Sequence, residues 1–331
     1  VAQPEVLCAF DVRTGRMLWR VRHASGDEAS SSVFGGIPVC CPSYSQVHLF
    51  LRVADGARSE IRCYSADAGR LRWRSGMHAQ LRNLLWLGDP AVDGGSAFAV
   101  FIEQVPNGPA RHGLACLDQH TGALKWKRYV LSGNAGWRIN GAHWLPTVHQ
   151  GPPAVANGVV YASTGLRSIV ALDAVTGLPL WLTAYPSPAA GIVSSDGSFR
   201  RCLQHQLRRG PAVLQVHGGT VFHAPSDAPG LVALDAQTGA LKWKRDLCDA
   251  SHLLRGFQTG LCAIGYNAAQ IDTTDGRTHN LDKLPGTLLG FPAAAGARLY
   301  VATRKKLLVL EPGATPQPEA IPWSRLGIAP P

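Results

Sequence analysis

Short apolar runs, each stopped by a small cluster of Gly, Pro, Asp, Asn or Thr, follow one another along almost the whole chain. None settles into the three-to-four-residue spacing of an amphipathic helix, so the pattern predicts strands joined by tight turns. Four runs share one spelling: LCAFDVRTGRMLW, LACLDQHTGALKW, IVALDAVTGLPLW and LVALDAQTGALKW. In each, an apolar stretch ends in Asp, Thr and Gly follow three and four residues later, and Trp stands eight residues after the Asp. These positions are Asp11, Thr14, Gly15 and Trp19; Asp118, Thr121, Gly122 and Trp126; Asp173, Thr176, Gly177 and Trp181; and Asp235, Thr238, Gly239 and Trp243. The stretch TGALKWKR occurs twice without change, at Thr121–Arg128 and Thr238–Arg245.

Weaker copies fill the gaps. IRCYSADAGRLRW keeps Gly69 and Trp73 but has Ser65 at the Asp position; QIDTTDGRTHN keeps Asp272 and Gly276 without the Trp; LLVLEPGATP keeps the apolar run and Glu311. Counted on the Asp position, the copies recur every 37 to 62 residues, a period that predicts propeller blades or a solenoid. The flanks favour blades. GPPAVANGVVYAS and GPAVLQVHGGTVFHA each read as two strands around Asn-Gly or Gly-Gly, a hairpin signal, and the motif adds a third strand, a turn and a fourth strand with the Trp.

Within the motif, Asp and Thr side chains hydrogen-bond the turn backbone, and Gly takes the positive φ that bulkier residues resist. Trp brings a broad apolar face and one N–H, which suits it to bridge to the next blade.

The pattern A-x-D-x-x-T-G-x-x-x-W resembles the tryptophan-docking repeat of PQQ-like β-propellers, a superfamily with quinoprotein alcohol dehydrogenases and non-enzymatic BamB-type outer-membrane assembly lipoproteins. The resemblance runs from about residue 5 to 311. It implies an all-β fold, a β-propeller of about seven four-stranded antiparallel blades, as one domain over 1–331. Six sets of four strands can be drawn from about Phe34 onward, the last outer strand falling around Ile321–Leu326. An N-terminal half blade (1–30) precedes them, and the 312–331 tail is expected to be weakly structured. That half blade suggests a piece of something longer, eight-bladed in its parent, or an irregular closure.

Composition limits the function classes. With 46% hydrophobic residues over 331 positions, the chain can bury a large core, and no apolar run is long enough to span a membrane. The 36 glycines and 23 prolines are scattered as turn punctuation. The net charge of +10 is dispersed, which fits a solvated basic surface and no nucleic acid. Cys8, Cys63 and Cys116 sit in equivalent apolar runs ahead of the turns and read as small buried hydrophobes, and the eight cysteines show no zinc spacing. The first residues, VAQPEVLCAF, do not read as a signal peptide.

Candidate chemistry falls where the repeat breaks down. Two long connections, Val130–Pro146 and Ala184–Pro211, belong to one rim of such a propeller. The first carries Trp137, Arg138, Asn140, His143 and Trp144, with His149 beyond it, a mixture of rings and polar ends that could line a pocket or plug the funnel. The second gathers Arg200, Arg201, Arg208 and Arg209, which could hold a carboxylate, phosphate or acidic partner, or form a solvated basic loop. Cys40 and Cys41 are adjacent on the expected inner strand of the first full blade, and this resembles the neighbouring-cysteine disulfide that walls the PQQ pocket of methanol-dehydrogenase-like quinoproteins. Side chains of adjacent strand residues point to opposite faces, so two separate thiols are the plainer reading. No catalytic residue and no metal ligand set is assigned. The resemblance to the BamB-type members implies a non-catalytic scaffold in the bacterial cell envelope, periplasmic or outer, with protein partners and no cofactor. A PQQ- and Ca-dependent alcohol or sugar dehydrogenase is the alternative, a sensor propeller of a larger protein the third reading, and a small-molecule or glycan ligand a further candidate.

Overall fold

A computed structural model describes residues 6–11, 14, 16–22, 43–45, 47–55, 58–133, 137–139, 143–145, 151–185, 213–225, 230–245, 252–257, 260–264, 267–283, 293–295, 298–302, 306–310 and 319–322. The chain is a β-propeller built of antiparallel sheets in sequence order. An N-terminal pair, β1 (Val6–Phe10) and β2 (Met17–Arg22), comes first. Blade 1 is β3 (Ser43–Ser45), β4 (His48–Asp55), β5 (Arg58–Ser65) and β6 (Leu71–Arg74). Blade 2 is β7 (Leu84–Trp86), β8 (Ala91–Asp93), β9 (Ser96–Glu103), β10 (Arg111–Asp118) and β11 (Leu124–Ser132), followed by a hairpin of β12 (Trp137–Ile139) and β13 (His143–Leu145).

Blade 3 is β14 (Ala154–Ala156), β15 (Val159–Ser163), β16 (Ser168–Asp173) and β17 (Pro179–Ala184). Blade 4 is β18 (Val213–His217), β19 (Thr220–Ala224), β20 (Leu231–Asp235) and β21 (Leu241–Arg245). Blade 5 is β22 (His252–Phe257), β23 (Gly260–Ile264), β24 (Asn267–Ile271) and β25 (Thr278–Lys283). Blade 6 is β26 (Ala293–Ala295), β27 (Arg298–Ala302), β28 (Lys306–Leu310) and β29 (Glu319–Pro322). Its outer strand lies within the 312–331 segment and starts slightly ahead of the expected position.

The burial of each strand follows from its place in the blade. Middle strands such as β9, β10, β16 and β19 lie between two neighbouring blades and are buried on both faces, so they are written as unbroken apolar runs. Outer strands such as β17 touch a neighbour on one face only and alternate. The core is a series of interblade layers. Ala97, Ala99 and Phe101 of β9 pack with Phe50, Ile61 and Trp73 of blade 1, while Phe98, Val100 and Ile102 of the same strand pack with Val160, Val170 and Leu172 of blade 3. Period-two alternation along one strand thus serves two cores. Tyr161, Ile169 and Ala171 repeat the arrangement against Leu214, Val221 and Leu234 of blade 4, and Leu7 of the N-terminal pair packs with Leu51 and Tyr64 of blade 1.

Two departures from the repeat concern the rim. The inner position of blade 2 is split: β7 and β8 both pair with β9, and the buried segment Leu87–Pro90 joins them. The Val130–Pro146 connection, expected as a loop, is in part regular. Val130–Ser132 completes β11, and β12 and β13 pair with Arg138 opposite Trp144 and Trp137 opposite Leu145.

Candidate functional site

The repeated turns each build a small network of hydrogen bonds around the motif Asp. In blade 2, Asp118 Oδ1 accepts hydrogen bonds from the His120 and Thr121 N–H groups and from the Thr121 hydroxyl, each at 3.0 Å. The Gly122 N–H donates to the Asp118 carbonyl at 2.8 Å and closes the turn. Asp173 and Asp235 repeat the set, with Thr176 and Thr238 N–H donors at 2.7 and 3.0 Å, and Asp11 receives the N–H and hydroxyl of Thr14. The Thr176 and Thr238 N–H groups are the largest influence holding the Asp173 and Asp235 carboxyls below the ordinary aspartate range. For Asp118 burial works upward, and the Thr121 and His120 donors together with the Lys125 charge outweigh it.

Each Trp then docks on the next blade. The indole N–H of Trp19 donates to the Ala66 carbonyl, Trp73 to Gln119, Trp126 to Ala174, Trp181 to Ala236 and Trp243 to Thr273, at 2.9 to 3.3 Å. The acceptor is always the residue just after the Asp position of the following motif. The motif glycine lies under the same ring: a Cβ on Gly122 would meet Trp73 at 2.6 Å, and one on Gly177 would meet Trp126 at 2.6 Å. Gly is therefore demanded twice, by its positive φ and by the indole above it.

Blade 1 reaches the same turn by another route. Ser65 replaces the Asp, and its hydroxyl oxygen accepts from the Arg70 N–H at 3.1 Å. The missing carboxylate is supplied by Asp67, held low first by the Ser65 hydroxyl and also by the Ala68 N–H. Blade 5 shifts the hydroxyl: Thr274, not the residue after it, donates to Asp272, and Asp275 caps the Arg277 N–H. Sequence comparison at fixed motif positions misses both compensations.

Two further polar clusters lie between blades 1 and 2. His48 of β4 stands edge-on to His120 of the next turn, ring centroids 5.1 Å apart, and its Nδ1 is buried without a partner among the described residues. Burial first, then His120 and Arg72, pushes His48 below the usual histidine value. At the split of blade 2, the buried Asp89 accepts from the Arg52 N–H of blade 1, the Arg52 guanidinium donates to the Trp86 carbonyl, and the Ser43 hydroxyl donates to the Pro90 carbonyl. Asp89 is a buried carboxylate outside the turn motifs, unmarked in sequence because it stands in a short Gly-Asp-Pro turn. Burial raises the Cys63 thiol to about 12, against the pull of Arg72, and raises Cys116 as well, so neither is poised as a nucleophile.

The residues singled out from the long connections are brought together only in part. Trp137, Arg138, His143 and Trp144 share the β12–β13 hairpin. Asn140, His149, Arg200, Arg201, Arg208, Arg209, Cys40, Cys41 and Gly15 lie outside the described residues. Among the described residues, no three His, Cys, Asp or Glu side chains converge to hold a metal ion, and no helix is long and apolar enough to cross a membrane.

A family model described as outer membrane protein assembly factor BamB matches residues 3–135 and 129–254. Among curated proteins, the dehydrogenase subunit of a quinone alcohol dehydrogenase from Gluconobacter oxydans is 37% identical over 94 residues, 28% of this chain and 11% of that protein. A polyvinylalcohol dehydrogenase from a Sphingopyxis species is 26% identical over 298 residues, covering 77% of this chain and 43% of its own length. The chain thus spans less than half of either relative. Among solved structures, BamB from Moraxella catarrhalis superposes over 96% of this chain and 79% of its own, with a TM-score of 0.53 at 14% identity, a likeness of fold.

Proposed function

We propose that this chain, which belongs to the PQQ-repeat propeller family described as outer membrane protein assembly factor BamB, is a non-catalytic scaffold that holds protein partners in the bacterial cell envelope. The observation that carries this reading is the match of that family model across residues 3–254. The geometry supports it: the repeated Asp, Thr and Trp groups are committed to turn closure and interblade docking, as a rigid platform requires. Function then rests on surfaces where blades depart from one another.

The expected result is a stoichiometric complex with outer-membrane assembly proteins, isolated from envelope fractions and sized by light scattering, together with no dye reduction when the purified chain is given PQQ, Ca²⁺ and alcohols. Stoichiometric PQQ retention with alcohol-dependent dye reduction would overturn the scaffold reading.

The relatives named as dehydrogenases favour a second reading, a PQQ- and metal-dependent alcohol or sugar dehydrogenase. Under it Cys40 and Cys41 would wall the quinone, and PQQ retention would be lost in Cys40→Ser and Cys41→Ser. No residue among those described is assigned to hold quinone or metal, so no step of such a reaction is derived.

A further inference from the structure

The repeat supplies its own control for what the fold requires at each position. At the residue before the docking Trp, blades 1, 2 and 4 carry Arg72, Lys125 and Lys242; at the residue after it, Arg74, Lys127 and Lys244. Lys125 reaches back to the Gly95 carbonyl, the Ser96 hydroxyl and Asp118, and Lys242 makes the same three contacts with Gly219, Thr220 and Asp235. Blade 3 places Leu180 and Leu182 at these two positions and Val159 at the register position of Ser96 and Thr220. Its turn carries Val175 where blades 2 and 4 have His120 and Gln237, and Leu178 follows the motif glycine.

These four side chains are exposed: Val175 82%, Leu178 56%, Leu180 55% and Leu182 44%. Trp181 and Thr183 turn to blade 4, bonding the Ala236 and Gly239 carbonyls, so Leu182 between them faces away from it, while Leu180 is the extra residue of the bulge where the β16–β17 register shifts. β17 ends its sheet, and among the described residues no strand pairs with its outer edge. At the positions of Val175, Leu180 and Leu182, blades 1, 2 and 4 all carry polar or charged residues, so at these three positions an apolar side chain is not a folding requirement. Beside it, Arg128 of blade 2 is exposed and donates to the Thr176 carbonyl.

We infer that the outer edge of blade 3 is a docking strand for an extended protein segment whose side chains alternate apolar with acidic. The proposal rests on the scaffold reading and names the kind of partner. An added strand would satisfy the edge N–H and C=O groups, lay apolar side chains on Leu178, Leu180 and Leu182, and set a carboxylate against Arg128. A second copy fits less well. Antiparallel pairing of two β17 edges would bring Arg128 of one copy toward Arg167 of the other, since Arg167 accepts the Tyr185 N–H at the far end of the strand, and each copy carries a net charge of +10. A lipid surface would leave the strand-edge backbone groups without partners.

The test uses the full chain and a labelled ten-residue peptide alternating valine with glutamate, beside its valine–lysine counterpart, read by fluorescence anisotropy and by amide exchange of residues 178–184. The Leu180→Lys/Leu182→Lys double variant copies the Lys pairs of blades 2 and 4 and is expected to fold with an unchanged circular dichroism spectrum. The glutamate peptide is expected to bind, to protect the β17 amides, and to bind at least about tenfold more weakly to the double variant, with the lysine peptide not binding. Absence of binding, equal binding of both peptides, or binding unchanged in the double variant overturns the proposal. So does a dimer, or flotation with anionic phosphatidylglycerol vesicles, that the double variant abolishes. An intact envelope complex with the double variant would remove this surface while leaving the scaffold reading in place.

Discussion

Gly177 and Gly158 both have positive φ, +69° and +74°, yet only Gly177 has an indole against it; nothing lies within 4 Å of a Cβ on Gly158. The pair therefore separates backbone strain from docking. Gly158→Ala is expected to cost about 1 kcal/mol, the left-handed penalty alone. Gly177→Ala should cost about 1–3 kcal/mol more, because the methyl group must displace Trp126. Urea denaturation of both variants measures the difference, and equal losses would mean that the ring shifts at no cost. A second outcome follows from the carboxylates. Asp118, Asp173 and Asp235 are all held below their ordinary value in the folded chain. A depressed folded value means that the unfolded chain takes up protons first as pH falls, so stability is full above the unfolded value of about 4 and is lost as pH drops through the folded values. Asp173→Asn keeps a turn acceptor but not the charge, and is expected to flatten the acid limb of a stability profile recorded from pH 7 to 3.

At the scale of one blade, the turn is conserved as a set of hydrogen bonds and not as a spelling. Blade 1 lacks the Asp at Ser65 and recovers an acceptor from Asp67. Asp67→Ala is therefore expected to lower the melting temperature, and Ser65→Asp in that background to recover part of the loss, since this returns the carboxylate to its position in blades 2 to 4 while Ala68 still stands where they have Thr. No restoration in the melting curve would show that Asp67 does not stand in for the motif carboxylate. This also explains how far the sequence could be read. Strand identity, turn and docking Trp were legible because one short motif encodes all three, through Thr121, Gly122 and Trp126 and their repeats. The split inner strand at Leu87–Pro90 was not, because β7 and β8 are short and their pairing with β9 depends on what lies across the sheet. The Asp89–Arg52 contact joins residues from two blades, and no local pattern announces such a partner. The apolar strip of blade 3 was in plain view as PLWL, but its meaning appears only when exposure shows that these leucines are not part of a core.

Across the whole molecule, stability is distributed over interblade layers in series, each drawing on two neighbouring blades. Such an arrangement behaves as a chain of nearest-neighbour interfaces, so damage to one layer is felt first by the two blades that share it. Trp126 tests this. It is 7% exposed, packs near Phe98 of its own blade, and joins blade 3 through Gly177 and the Ala174 carbonyl. Trp126→Ala removes the ring, its hydrogen bond and its contacts, a loss on the order of 3–5 kcal/mol. Hydrogen exchange should then accelerate most in β10, β11, β15 and β16, and least in β20, which packs in layers that Trp126 does not enter. Uniform acceleration through every blade would instead mean that the propeller opens only as one cooperative unit. The distinction bears on function: a scaffold that loosens layer by layer can adapt one blade edge to a partner while the other blades hold their geometry.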